Sequence, residues 1–86
     1  MNRVTLLYFA WVRQKTGRGE ETMELPANVG TVGELARFLL LRGAGYADAF
    51  AKPDRLRAAV NQEHVDFTAP LTDTDEVAFF PPVTGG

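Results

Sequence analysis

Thr31-Val32-Gly33-Glu34-Leu35-Ala36-Arg37-Phe38-Leu39-Leu40-Leu41-Arg42-Gly43 is the stretch on which the fold turns. Thr31 and Glu34 have the spacing of a capping box, in which each side chain satisfies a backbone N–H at a helix start. Val32, Leu35, Ala36, Leu39 and Leu40 then recur at i, i+3, i+4, i+7 and i+8, one apolar stripe along a helix. Arg42 suits the negative end of the helix dipole, and Gly43 suits a left-handed stop. Such a helix needs one apolar surface to lie on, and the flanking segments read as the strands that supply it.

Upstream, residues 3–10 are rich in β-branched and aromatic types, as a strand should be. Val4, Leu6 and Tyr8 fall on one face, Leu7 and Phe9 on the other, a pattern expected of a central strand covered on both sides. Residues 11–16 suit a short helical turn broken by Gly17 and Gly19, and Glu20–Leu25 a second strand ended by Pro26. Downstream, a short helix is expected at Tyr46–Phe50, then strands at Arg57–Val60 and His64–Phe67 about a tight turn of Asn61, Gln62 and Glu63. A turn-rich stretch from Pro70 to Asp75 leads to a last strand, Glu76–Phe80. The order β-β-α-β-β-β with one long helix predicts an α+β roll. It is a mixed sheet with the helix on one face and the final strand parallel to the first, the β-grasp arrangement found in ubiquitin. Residues 1–80 form the domain and 81–86 a protruding tail.

At 86 residues the chain has room for one core. Its net charge of −2 and pI near 5.2 argue against a nucleic-acid backbone binder, which needs a concentrated basic face. There is no Cys, no Ser and a single His, His64. Thiolate nucleophiles, thiolate metal sites, a Ser–His–Asp triad and a paired-imidazole zinc site are therefore excluded. The longest apolar run, Leu6–Val12, is far short of the roughly 18 residues a membrane span needs. Arg13, Gln14 and Lys15 stand where a signal peptide would have small residues, so a cytoplasmic protein is expected. Either this is a binding module or its reactive group is not a side chain.

Side-chain candidates are few. His64 sits beside a turn without a companion ligand and reads as a surface histidine. Asp73, Asp75 and Glu76 lack the glycine and distal glutamate of a calcium loop and read as a polar turn before a strand. Lys52, Arg55 and Arg57 lie close in sequence and, with Arg13, are candidates for partner docking. Phe79 and Phe80, adjacent in a strand, must point to opposite faces. Phe79 shares the parity of Val77 and should enter the core, leaving Phe80 largely exposed as an aromatic anchor.

The chain ends Pro81-Pro82-Val83-Thr84-Gly85-Gly86. The prolines favour an extended exit from the sheet, and the glycines present no side chain. Six extended residues project about 19 Å, a thin probe that a tunnel on another protein can admit. With no nucleophilic side chain available, the carboxylate of Gly86 is the expected reactive group.

Ala58-Ala59-Val60-Asn61-Gln62, Pro70-Leu71-Thr72-Asp73 and the run from Asp75 to Gly86 resemble the family of sulfur-carrier small subunits of molybdopterin synthase. Phe9-Ala10-Trp11-Val12-Arg13, followed by Gly17, is similar to that family's opening strand and turn, and Thr74 stands where many relatives have glycine. The resemblance implies a ubiquitin-like fold with no permanently bound cofactor. It also implies two protein partners: an ATP-dependent adenylating enzyme and a large catalytic subunit. Gly86 would be adenylated, converted to a thiocarboxylate, and would give its sulfur to cyclic pyranopterin monophosphate. Other β-grasp sulfur carriers, for thiazole or tRNA thiolation, and ubiquitin-like modifiers share the fold, and an interaction module with an inert tail is the alternative of another class.

Overall fold

The computed structural model describes residues 3–72 and 75–82. Asp73 and Thr74, and with them the turn expected around Thr74, lie outside the described residues, as do Val83, Thr84, Gly85 and Gly86. In chain order the elements are β1 (Arg3–Tyr8), α1 (Ala10–Thr16), β2 (Glu20–Glu24), α2 (Val32–Leu40) and α3 (Ala44–Phe50). A 3-10 turn (Pro53–Arg55), β3 (Arg57–Val60), β4 (Glu63–Val65) and β5 (Glu76–Phe80) complete the fold. The strands form one sheet in the order β2-β1-β5-β3-β4. β5 runs parallel to β1 and antiparallel to β3, and the two hairpins β1–β2 and β3–β4 flank this centre. This is the β-grasp arrangement.

The core lies between the sheet and the helices. Val4, Leu6 and Tyr8 of β1, Val77 and Phe79 of β5 and Ala58 of β3 meet Val32, Leu35, Ala36 and Leu39 of α2. Each fully buried Leu, Val or Phe in this set stabilises the fold by roughly 1.5–3 kcal/mol. α2 begins as its sequence predicts at Thr31, whose hydroxyl accepts from the Glu34 N–H at 3.1 Å. Glu34 closes the box one residue further back, accepting from the Gly30 N–H at 2.8 Å. Two further amides at this helix start, Val32 and Gly33, donate to the Ala69 and Phe67 carbonyls.

That last pairing explains why β4 ends at Val65 rather than Phe67. The carbonyls of Phe67 and Ala69 turn away from the sheet to satisfy orphan amides of α2. The β3–β4 turn is also tighter than expected, a two-residue loop at Asn61 and Gln62 with φ of 52° and 72°. Positive φ at both central residues is the primed turn that matches strand twist.

Three other expectations are corrected. β1 stops at Tyr8, and the chain leaves the sheet through Ala10, with φ of 54°, into a two-turn helix. The face of β1 bearing Thr5 and Leu7 is only partly buried, because α1, α2 and α3 do not cover it. Gly43 does not stop α2. The helix closes through tightened bonds from the Leu41 and Arg42 N–H groups to Phe38 and Leu39, and Gly43 instead caps the start of α3.

Candidate functional site

β5 is the element that delivers the C-terminal residues, and its two faces differ. Phe79 has no exposed surface and sits edge-on to Phe50, with ring centroids 5.0 Å apart, and to Phe67 at 6.3 Å. Phe80 points to the other face, as alternation requires, opposite Arg57 of β3. It is half-buried rather than largely exposed, because the His64 ring lies against it at 5.1 Å. The more exposed aromatic at this end is Phe9, 50% accessible, whose N–H donates to the Phe79 carbonyl. Pro81 and Pro82 continue from Phe80, both partly exposed.

The start of β5 is fixed by a polar bracket. Asp75, only 7% exposed, accepts from the Thr72 N–H at 2.8 Å, the Thr72 hydroxyl at 3.2 Å and the Asn61 side-chain amide at 2.9 Å. Asn61 in turn accepts from the Glu76 N–H at 2.9 Å and donates its own N–H to the Glu76 carbonyl at 2.8 Å. Burial alone would raise the Asp75 pKa, but the Thr72 and Asn61 hydrogen bonds outweigh it and hold the carboxyl below its ordinary range. Asp75 is thus a structural pin. No group of His, Cys, Asp and Glu among the described residues can hold a metal ion.

A second, part-buried carboxylate has little signal in the sequence. Glu21 accepts from the Tyr8 hydroxyl at 2.8 Å, the Tyr46 hydroxyl at 2.7 Å and the Arg42 guanidinium at 3.0 Å. Burial pushes its pKa up, and the hydrogen bonds from Tyr46, Tyr8 and Arg42 together push it further down, below the usual carboxylate range. Burial and the Glu21 contact raise both tyrosines. A carboxylate held this way is a poor proton acceptor; it ties β2 to α3. The sequence signal was weak: Glu21 merely alternates within a polar edge strand.

The basic candidates do not form one patch. Arg13 lies on α1 with its guanidinium across Gly19, where an added Cβ would meet its Nε at 3.1 Å. Arg57 sits beside Phe80 and donates to the Leu56 carbonyl at 3.0 Å. Lys52 and Arg55 line a hollow with Trp11. Arg13, Arg55 and Arg57 nevertheless belong to elements that meet where β5 ends, with Lys52 in the link just before the 3-10 turn: α1 follows the end of β1, and the 3-10 turn precedes the start of β3.

The site is therefore an exit: a core-anchored strand, an aromatic pair, surrounding cations and a side-chain-poor tail. Among the described residues it holds no side chain placed for acid–base or nucleophilic work. No helix among the described residues is long and apolar enough to cross a membrane.

Residues 6–86 match the ThiS family. The chain is 45% identical over 83 residues to the molybdopterin synthase sulfur carrier subunit of Escherichia coli (strain K12), covering 96% of this chain and 99% of that one. In structure it is similar to the HVO 2177 protein of Haloferax volcanii, with a TM-score of 0.78 and 27% identity over 99% of this chain and 87% of that one. It also shares the fold of a chain in the complex of subunits 1 and 2 of molybdopterin-converting factor from Helicobacter pylori 26695. There the TM-score is 0.65 at 21% identity, over 98% of this chain and 99% of that one.

Proposed function

Because the chain belongs to the ThiS family, we propose that it is a sulfur carrier for molybdopterin synthesis, with the C-terminal carboxylate of Gly86 as the carrying group. An ATP-dependent adenylating enzyme joins that carboxylate to AMP with release of pyrophosphate. A sulfur donor then attacks the mixed anhydride and expels AMP, leaving a thiocarboxylate. The loaded tail enters a large catalytic subunit and gives its sulfur to cyclic pyranopterin monophosphate, returning as the carboxylate. The protein is not an enzyme by itself. ATP is consumed by the activating partner, and sulfur travels covalently on Gly86, in the cytoplasm.

One observation carries the reading: a strand sunk into the core through Phe79 that leads directly into Pro81 and Pro82, in a chain 45% identical to a named sulfur carrier. A core-anchored strand fixes the point from which the tail starts, and glycine leaves the acyl carbon unhindered. Phe80, Phe9 and Arg57 flank the end of β5 and are the contacts a tail-accepting partner meets first.

The test is reconstitution. Incubation with the adenylating enzyme, ATP and a sulfur source should exchange one oxygen for sulfur in the intact mass. Addition of the large subunit and pterin precursor should then yield molybdopterin. An inert interaction module gives no mass change, and a carrier for another thiolation pathway is loaded without producing molybdopterin.

A further inference from the structure

α1 and α3 approach so closely that a Cβ on Gly45 would overlap the Lys15 backbone carbonyl oxygen. Between α1, the end of α3 and the 3-10 turn lies a hollow of about 350 Å³, lined by Trp11, Lys15, Asp48, Ala49, Lys52 and Arg55. The indole and the alanine give it an apolar wall. Of its three cations, Lys15 is already paired with Asp48 at 2.7 Å. Lys52 and Arg55 have no carboxylate partner among the described residues. A chain with a net charge of −2 thus collects two uncompensated positive charges beside its single tryptophan.

The position matters as much as the charge. Trp11 is two residues beyond Phe9, at the end of β1, and Arg55 is two residues before Arg57, which pairs with Phe80. The Trp11 and Arg55 side of the hollow therefore lies near the end of the sheet from which the tail leaves. We propose that Trp11, Lys52 and Arg55 form a docking site for an acidic segment of the large subunit that takes up the tail, with an apolar side chain of that segment against the indole. This rests on the carrier reading and adds to it a second contact, off the tail. Tryptophan and arginine are the residue types that dominate interface energetics, and charge complementarity sets partner choice and encounter rate. A protein segment fits better than a nucleic acid, because the rest of the surface is acidic on balance.

The single tryptophan makes the site its own reporter. The full chain is titrated with the large subunit while Trp11 fluorescence is followed, and calorimetry measures affinity independently. Burial by the partner should move the emission to shorter wavelength. Arg55→Glu should weaken binding about tenfold at low salt, an effect that shrinks as salt rises. Arg37→Glu, which changes net charge equally on α2, should stay within about twofold. Trp11 emission that does not move while calorimetry records a complex overturns the proposal, as does equal affinity of the two variants. Thiocarboxylate formation by the same preparations keeps the two ideas apart. Normal loading with unchanged Arg55→Glu affinity removes the hollow and leaves the carrier, whereas a wild-type chain that is never loaded ends the carrier reading and this one with it.

Discussion

The two ends of β5 are built on opposite plans. At its start, Asp75 and Asn61 use six hydrogen bonds to tie the strand to the Thr72 loop and the β3–β4 turn. At its finish, Phe80, Pro81 and Pro82 carry no side-chain hydrogen-bonding group, and the prolines have no N–H to give. One end is fixed by side-chain hydrogen bonds, and the other relies on strand pairing and apolar contact. This is the arrangement a carrier needs: a base that does not shift and a tip that can be handed to another protein. Changes at the two ends should therefore separate, those at the finish affecting transfer and those at the start affecting stability.

The largest effect is expected at the tip. Deleting Gly86 leaves a chemically similar glycine terminus but takes up to about 3 Å from the reach of the chain. A misplacement of about 1 Å can cost on the order of a hundredfold in rate, so the deletion should abolish sulfur transfer with an unchanged thermal melt. Turnover at the wild-type rate by the shortened chain would sink the carrier reading. Next comes Phe80→Ala. Truncating an aromatic anchor typically costs about 2 kcal/mol, so affinity for the large subunit should fall roughly thirtyfold. Calorimetry with the intact complex measures this, and unchanged affinity would remove Phe80 from the interface.

The start of the strand should respond the other way. Asp75→Ala leaves the Asn61 amide without its acceptor, at a cost of about 1–3 kcal/mol. For a domain of this size each kcal/mol corresponds to about 4–8 °C in melting temperature. Loading of Gly86 in the folded fraction should match wild type. A variant that melts normally but fails to be loaded would erase the difference between the two ends.

The same contrast shows what was legible in the sequence. β3 and β5 fall where alternation predicts them, because a strand with one buried face writes its register into residues such as Val77 and Phe79. α2 was readable for the same reason, its stripe and its Thr31 cap being local signals. What stayed hidden depends on residues far apart in the chain. In sequence Asp75 reads as part of a polar turn, and the Asn61 amide that meets it lies 14 residues away. Nothing local links Glu21 to Tyr46, 25 residues on, and only the packing of Trp11 beside Lys52 and Arg55 sets them apart from Arg57. The tail is the reverse case: its reading comes from composition and resemblance, since Val83, Thr84, Gly85 and Gly86 lie outside the described residues.

The smallest expected effect is a dependence on acid, and it sharpens the comparison because only one end of β5 should show it. The Asp75 carboxyl is held below its ordinary range by Thr72 and Asn61, and Glu21 by Tyr46, Tyr8 and Arg42. A group whose folded pKa is depressed adds stability that is fully present above the unfolded value, about 3.9 for Asp and 4.3 for Glu. That stability is lost as pH falls through the folded value. The wild-type melting temperature should therefore drop as pH is lowered from about 5 toward 3. Asp75→Asn and Glu21→Gln each remove one titrating group, so each should start lower at neutral pH and decline less steeply. Phe80→Ala touches neither carboxyl and should keep the wild-type slope. Melting curves across this range for the four proteins decide the matter. Parallel slopes for wild type and Asp75→Asn would mean that the bracket holds β5 through geometry alone, without drawing on the charge of the carboxylate.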